Sequence, residues 1–301
     1  MQVGMALPVT VAGLWDEPGT LESWARAVDE GPFASIGFGT RIAGDIPDLV
    51  ALSGAVAAWT RRVRIRVAVT PQLYDPVQLA KSLATVDRLS EGRLEVSLGV
   101  GGRDDDYRAL GVDPTTQNVH QLADRARAMR WTWHGDHLTD TVRPVGPPPV
   151  RPEGPELLIS SYGRQAALSA APWAGGLVHV VSGPGDEELE EVADVFKQAR
   201  ERWAEVGRPP PRLVTSFWFA VDEAAPYGAR AQVREHVLDY LDYVPRDFAE
   251  GLAERAGFAG SAAGLALVLE RIAALGADEV HLIPTGLDVE QVARVAEVVG
   301  S

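Results

Sequence analysis

The stretch from Leu83 to Gly111, with the turn that leads into it, restricts the fold more than any other part of the chain, because it joins a helix, a strand and a run of bare glycines. Asp75 before Pro76 is a helix N-cap followed by a first-turn proline, and Gln78 stands where its amide reaches back to the cap. Leu79, Leu83 and Val86 then recur at helical spacing as one apolar stripe, and Gly92 supplies the left-handed residue that stops the helix. From Arg93 the period becomes two. Leu94, Val96 and Leu98 fall on one side of a strand, and Glu95, Ser97 and Gly99 on the other. Gly99, Gly101 and Gly102 carry no side chain at the strand's carboxyl end, so backbone amides can approach a flat or anionic ligand closely there.

The same alternation continues along the chain. Strands are expected at Gln2 to Leu7, Phe33 to Phe38, Arg64 to Val69, the stretch just described, Glu156 to Ser160, Leu177 to Val181, Leu213 to Val221 and Glu279 to Ile283, with helices between them. In the third strand Arg66, Ala68 and Thr70 should face inward, which makes Arg66 the partner of an inward Glu95, since an unpaired charge in a core is costly. Two excursions interrupt the rhythm. One follows Gly111 and holds a helix from about Asn118 to His134; the other runs from Asp222 to Phe258. Pro144 to Pro155 is a proline-rich connector that returns the chain to the floor. Eight strands alternating with helices imply an α/β fold, a (β/α)8 TIM barrel with excursions after strands four and seven, read as one domain over residues 1–301. An open doubly wound sheet is the rival, since it uses the same crossovers.

Asp87, Arg88, Leu89, Ser90, Gly92, Arg93 and Leu94, then Leu98, Gly99 and Gly101, then Tyr107, Ala109, Leu110 and Gly111 together resemble the luciferase-like monooxygenase family. The resemblance implies a barrel oxidoreductase using FMN or the deazaflavin coenzyme F420. It also implies a strained non-prolyl cis peptide at or next to Val69–Thr70 under the cofactor ring, with Gly99 to Gly102 leaving room for it and Gly37 to Gly39 on its other side. Relatives often dimerise, so a homodimer is an expectation. The chain departs from the family's deazaflavin sugar-phosphate dehydrogenases, which carry an acid-histidine pair after strand two and a glutamate after strand four. Gly39-Thr40 and Gly101-Gly102 stand at those places.

Composition excludes several functions. A formal charge of -14 opposes binding to nucleic acid or anionic membranes, both of which rest on lysine and arginine. The absence of cysteine removes disulfides, thiolate ligands and a cysteine nucleophile. The N-terminus lacks a basic flank and carries Pro8, so it reads as a strand and the expected location is the cytoplasm.

Candidate site residues belong at the carboxyl ends of the strands. Ser160, Ser161, Tyr162, Gly163 and Arg164 offer hydroxyls, amides and a fixed charge to one phosphate, and the resemblance makes this the flavin phosphate cradle. Gly39, Val69, Thr70, Gly99 and Gly101 complete the cofactor-binding expectation, and Arg103 is a further candidate for the phosphate. Asp104, Asp105 and Asp106 diverge at a helix start and read as capping, so no metal is expected. No catalytic acid or base is identifiable; His179 and His281, both on strands, are the candidates, while His134 and His137 lack a metal-site context. Trp15, Tyr74, Tyr107, Trp218 and Phe219 are the aromatics available to an apolar substrate pocket. The reading is therefore an oxidoreductase with a dissociable reduced flavin or F420, a small-molecule substrate and, with FMN, a separate flavin reductase. Two alternatives stay open: a non-catalytic flavin-binding barrel, and a flavin-independent lyase or isomerase acting on a phosphate substrate.

Overall fold

The computed structural model describes residues 1–39, 41–135, 143–223 and 226–300. Nine strands form one parallel sheet: β1 (Gln2–Ala6), β2 (Ser35–Gly39), β3 (Arg64–Val69), β4 (Leu94–Leu98), β5 (Glu156–Ser161), β6 (Gly176–Val180), β7 (Arg212–Val221), β8 (Phe258–Gly260) and β9 (Glu279–Pro284). Neighbours pair in chain order from β1 to β7, and β9 pairs with both β7 and β1, which closes an eight-stranded barrel. The sheet is closed, not open. β8 was not expected. Its three residues, ending in glycine, are too few to show a period; they pair with β7 at Phe219 to Val221, on the edge that β6 occupies only as far as Ser216.

The unit that organises the sequence forms as its residues dictate. Asp75 accepts hydrogen bonds from the amides of Val77 and Gln78 at 3.0 and 2.9 Å, and Pro76 opens the helix Pro76–Leu89. Both Glu91 (φ 57°) and Gly92 (φ 83°) are left-handed, and the Gly92 amide returns to the Asp87 carbonyl at 2.8 Å. Arg93 donates to the carbonyls of Ser90, Val63 and Thr60 and to the Thr60 hydroxyl. Asp87 accepts from the Val150 amide at 2.7 Å, and Lys81 and Arg88 reach the carbonyls of Gly146 and Pro148. This turn therefore clamps the amino end of β4 to the preceding helix and to the proline-rich connector. It holds the floor of the barrel, far from the carboxyl ends.

Inward and outward residues alternate. Ile65, Val67, Leu94, Val96, Leu98, Leu177 and Leu282 form the core between barrel and helices. Inside, Leu158, Val178 and Val214 make a separate apolar cluster. Facing them, β1 to β4 present only small residues to the lumen above the floor: Gly4, Gly37, Gly39, Ala68, Ser97 and Gly99.

The floor itself is charged. Arg66 meets Glu95 at 3.0 Å, the pair the sequence implies, and also Glu279 at 2.9 Å. Arg64 binds both carboxylates at 2.7 and 2.6 Å, and Arg212 bonds Glu95, Glu279 and Glu156. Ser35 donates to Glu279. Burial alone would raise the Glu279 pKa, but Arg66, His281, the Ser35 hydrogen bond and Arg212 outweigh it and hold the carboxyl far below its ordinary 4.5. His281 sits just above; burial, then Arg66, push its pKa down to about 3, so the imidazole is neutral.

Two consequences are measurable. Glu279→Gln leaves three arginines short of a buried carboxylate and should lower the unfolding free energy in urea by about 3–5 kcal/mol, while Glu156→Gln, at the solvated edge, should cost about 1 kcal/mol or less. Both depressed groups take up a proton more readily when unfolded. Their contribution is therefore complete at neutral pH and lost on acidification, from pH 6.5 downward for His281 and below pH 4.5 for Glu279. His281→Gln should flatten the fall of the urea midpoint between pH 6.5 and about 4.

Candidate active site at the barrel mouth

The residues expected to hold a cofactor all come to the carboxyl rim, because the parallel registers bring Gly39 beside Ala68, Val69 beside Leu98 and Ser160 beside Val178. Val69 turns its side chain outward into the core and gives only backbone to the rim. Thr70 is buried, with φ -95° and ψ 90°, and opens a one-turn 3-10 helix at Pro71. The peptide bond before it is trans; among the described residues the cis bond is Gly146–Pro147. The strained peptide expected at or next to Val69–Thr70 is therefore absent, and Thr70, extended as a residue before proline prefers, carries the chain into the turn at Pro71. Two glycines keep close approaches open here. A Cβ on Gly99 would lie 3.1 Å from the Ser160 carbonyl, and Gly101 (φ +70°) would set one 3.0 Å from the Thr70 hydroxyl. Tyr107 fixes this loop by donating to the Val100 carbonyl at 2.6 Å, and burial, then Asp106, push its pKa up to about 12.

The segment after β5 is arranged differently from the expected cradle. The Ser161 hydroxyl accepts from the Gly163 amide at 3.0 Å, closing a local turn. Arg164 is 48% exposed and paired with Asp194 on the helix Asp186–Glu205, so its charge lies on the outer side of the rim. The helix that follows, Arg164–Ser169, has six residues and no side-chain cap. Tyr162 points the other way. The residue is 58% exposed overall, yet its hydroxyl meets Tyr240, and desolvation of that hydroxyl, then Tyr240 and Tyr243, raise its pKa well above 10. Beside it lies a cavity of about 320 Å³ lined by Val180, Ser182, Glu188 and Arg255.

What sequence reading missed is the cover. The excursion after β7 folds into the helices Pro226–Tyr240 and Arg246–Ala253, packed on their own apolar cluster with Trp218. Tyr240 lies edge-on to Trp218, with ring centres 5.3 Å apart, and His236 joins the stack at 6.2 Å from Tyr240. Arg41 and Arg103, after β2 and β4, reach the same ring. Gly102 leaves room for Tyr243, whose hydroxyl would be 3.4 Å from a Cβ there. A Tyr-x-x-Tyr spacing at the end of an amphipathic helix was the visible trace of this cover.

Other candidates fall into distinct places. Asp106 of the triplet accepts from the amides of Ile42 and Ala43 at 2.7 and 2.8 Å, tying the β2 segment to the β4 segment, while Asp104 and Asp105 pair with Arg108. No group of three metal-binding side chains converges among the described residues. His179 lies behind β6, with Nε2 3.6 Å from Glu191 on the outer helix; burial lowers its pKa. His281 faces the lumen, and its buried Nε2 has no hydrogen-bond partner; a Cβ on Gly37 would come within 2.7 Å of it. His134 ends the helix His120–His134, and Thr40 and His137 lie outside the described residues. Trp15 is exposed, Phe219 is core, and Trp218 alone of the expected pocket aromatics joins the cover. No described helix is long and apolar enough to cross a membrane.

Comparison with known proteins adds a family and a fold. The model of the luciferase-like monooxygenase family matches residues 1–281. An uncharacterized protein of Mycobacterium tuberculosis is 32% identical over 168 residues, 52% of this chain and 55% of that protein. The FMNH2-dependent dimethylsulfone monooxygenase of Pseudomonas putida is 27% identical over 127 residues, 39% of this chain and 35% of that enzyme. The chain thus spans about half or less of the length of these relatives. Among solved structures, an F420-dependent secondary alcohol dehydrogenase bound to an F420-acetone adduct superposes with a TM-score of 0.82 at 17% identity, covering 99% of this chain and 97% of that one.

The Asp106 clamp yields a direct expectation. Asp106→Ala leaves two amides without their acceptor and should cost about 1–3 kcal/mol locally, read as faster amide hydrogen exchange at Ile42 and Ala43 with core strands unchanged.

Proposed function

Because the chain belongs to the luciferase-like monooxygenase family, we propose that it is an oxidoreductase that works with a dissociable planar cofactor, reduced FMN or F420, on a small organic substrate. One observation carries the reading: the lumen wall from β1 to β4 bears no side chain larger than threonine above the charged floor, while the opposite wall is lined by Leu158, Val178 and Val214. A flat ring system fits against such a wall, and bare backbone at Gly99 and Gly101 admits its edge. The donor set agrees. Thr70, Ser97 and Ser160 offer hydroxyls, and none of these positions is a carboxylate that would repel an anionic cofactor.

When bound, the cofactor supplies the redox chemistry, oxygen activation with reduced flavin or hydride transfer with the deazaflavin. The chain's own residues bind and shield. Trp218, Tyr240 and Tyr243 cover the mouth and exclude water; Tyr107 and Asp106 hold the loops that carry Gly99, Gly101 and Arg41. His281, neutral and with an unpartnered Nε2, offers the lumen a hydrogen-bonding group; with a pKa near 3 it serves to orient a ligand and not to take up a proton. The relatives name both cofactors, FMNH2 in one and F420 in the other. With FMN, a separate reductase would be the partner and the cytoplasm the place of reaction.

Fluorescence titration with FMN, anaerobic FMNH2 and F420 tests the proposal. At least one should bind, and Ala68→Leu, which fills the small wall, should weaken it by about tenfold for each ~1.4 kcal/mol of lost contact while the unfolding temperature holds. Binding of none of the three would remove the oxidoreductase reading; binding without oxygen consumption or hydride transfer on any substrate would favour a non-catalytic flavin-binding barrel.

A further inference from the structure

Positive charge over the mouth comes from arginines other than the one in the segment after β5. Arg164 is engaged by Asp194 on the outer side of the rim. Arg41 and Arg103 instead converge on one phenol: their guanidinium carbons lie 4.2 and 5.1 Å from the centre of the Tyr240 ring, and Arg103 is also 4.1 Å from that of Tyr243. Two like charges around one ring repel each other. Arg103 donates to the Tyr240 carbonyl and pairs with Asp242, at 2.6 Å, but the Asp242 side chain is 68% exposed and its attraction is screened by solvent. Arg41 has no carboxylate within ion-pair distance among the described residues; its hydrogen bond is to the Tyr240 carbonyl at 3.3 Å. In a chain of net charge -14, two arginines thus share one partly screened carboxylate at this end of the barrel mouth.

The neighbours of the two arginines are donors. Burial holds the Arg41 pKa below its ordinary value, with Tyr240 opposing the fall and Arg103 adding to it. Tyr162 and Tyr243 have raised pKa values and stay protonated, so they donate hydrogen bonds. His236 is 5% exposed with an unpartnered Nε2; burial, then Arg41, push its pKa down to about 4, so it adds no charge.

We propose that Arg41 and Arg103, with the hydroxyls of Tyr162 and Tyr243, form an oxyanion site across the mouth that takes a phosphate or carboxylate group, carried either by the cofactor's tail or by the substrate. The planar fork of Arg41 matches two oxygens of such a group, Arg103 adds a second positive charge beside it, and an incoming anion relieves the repulsion between the two. The source of the anion rests on the flavin or deazaflavin reading; the site itself does not.

Calorimetric titration of the full chain with inorganic phosphate tests the site, and titration with FMN and riboflavin, which share a ring and differ in phosphate, tests the source. Arg41→Gln should weaken phosphate binding by about tenfold or more, and Arg164→Gln should leave it within about twofold. Arg41→Lys keeps the charge without the fork and should fall between wild type and Arg41→Gln; with Arg103→Gln it carries the comparison if Arg41→Gln does not fold. Loss of FMN but not riboflavin affinity in Arg41→Gln assigns the site to the cofactor's tail. Loss of phosphate and benzoate binding with FMN affinity kept assigns it to the substrate. Phosphate binding that depends on Arg41 in a protein that binds no flavin would keep the site and remove the cofactor reading. The proposal is overturned if wild type binds no phosphate, if Arg41→Gln and Arg103→Gln leave binding unchanged, or if Arg164→Gln alone abolishes it.

Discussion

The barrel is held shut at its floor by a buried network of three arginines and three glutamates drawn from β3, β4, β5, β7 and β9. Such a network contributes little net stability against apolar packing, yet removing one of its buried members, Arg66, Glu95 or Glu279, leaves a charge without its partner in a place water does not reach. It thereby fixes which strands are neighbours and in what register. Gly4 and Gly37 follow from it, since a side chain at either position would collide with His281 above the network. The cost of filling the lower lumen with charge is that the upper lumen alone is left for a ligand. Small residues occupy four consecutive strands there.

Above that wall the electrostatics reverse. The molecule is strongly acidic overall, yet the segments after β2 and β4 bring arginines to phenols that the excursion after β7 lays over the mouth. A local field of this kind serves an anion better than a global one: it acts at short range, in a partly desolvated place, and leaves the rest of the surface soluble. Asp106 links the two segments through the Ile42 and Ala43 amides, so the positions of both arginines depend on one buried carboxylate.

Periodicity made the fold legible. The alternation of Ile65, Val67 and Val69 with Arg66, Ala68 and Thr70, and its repetition in β4, is enough to place these strands, their faces and the Arg66–Glu95 pair. The remaining members of the network were hidden because Glu279 stands 213 residues from Arg66, a separation at which sequence gives no register. The turn Asp87 to Arg93 was legible as a family feature, and its hydrogen bonds show it to be a structural clamp at the floor, so the sharpest motif lies away from the chemistry. Arg164 sits in the segment read as the phosphate cradle, but its partner Asp194 lies thirty residues later on a neighbouring helix, beyond the reach of a local pattern. Arg41 carried no local signal at all, because its partner ring arrives from the far excursion.

The central claim is that the small-residue wall of the upper lumen receives a planar cofactor. A crystal structure of the protein soaked with FMN or F420 decides it most directly. The account predicts a ring lying against Gly39, Ala68 and Gly99, with its edge beside Gly101. A ring bound outside the barrel, or a lumen that stays closed by Trp218 and Tyr240 at saturating cofactor, would contradict it.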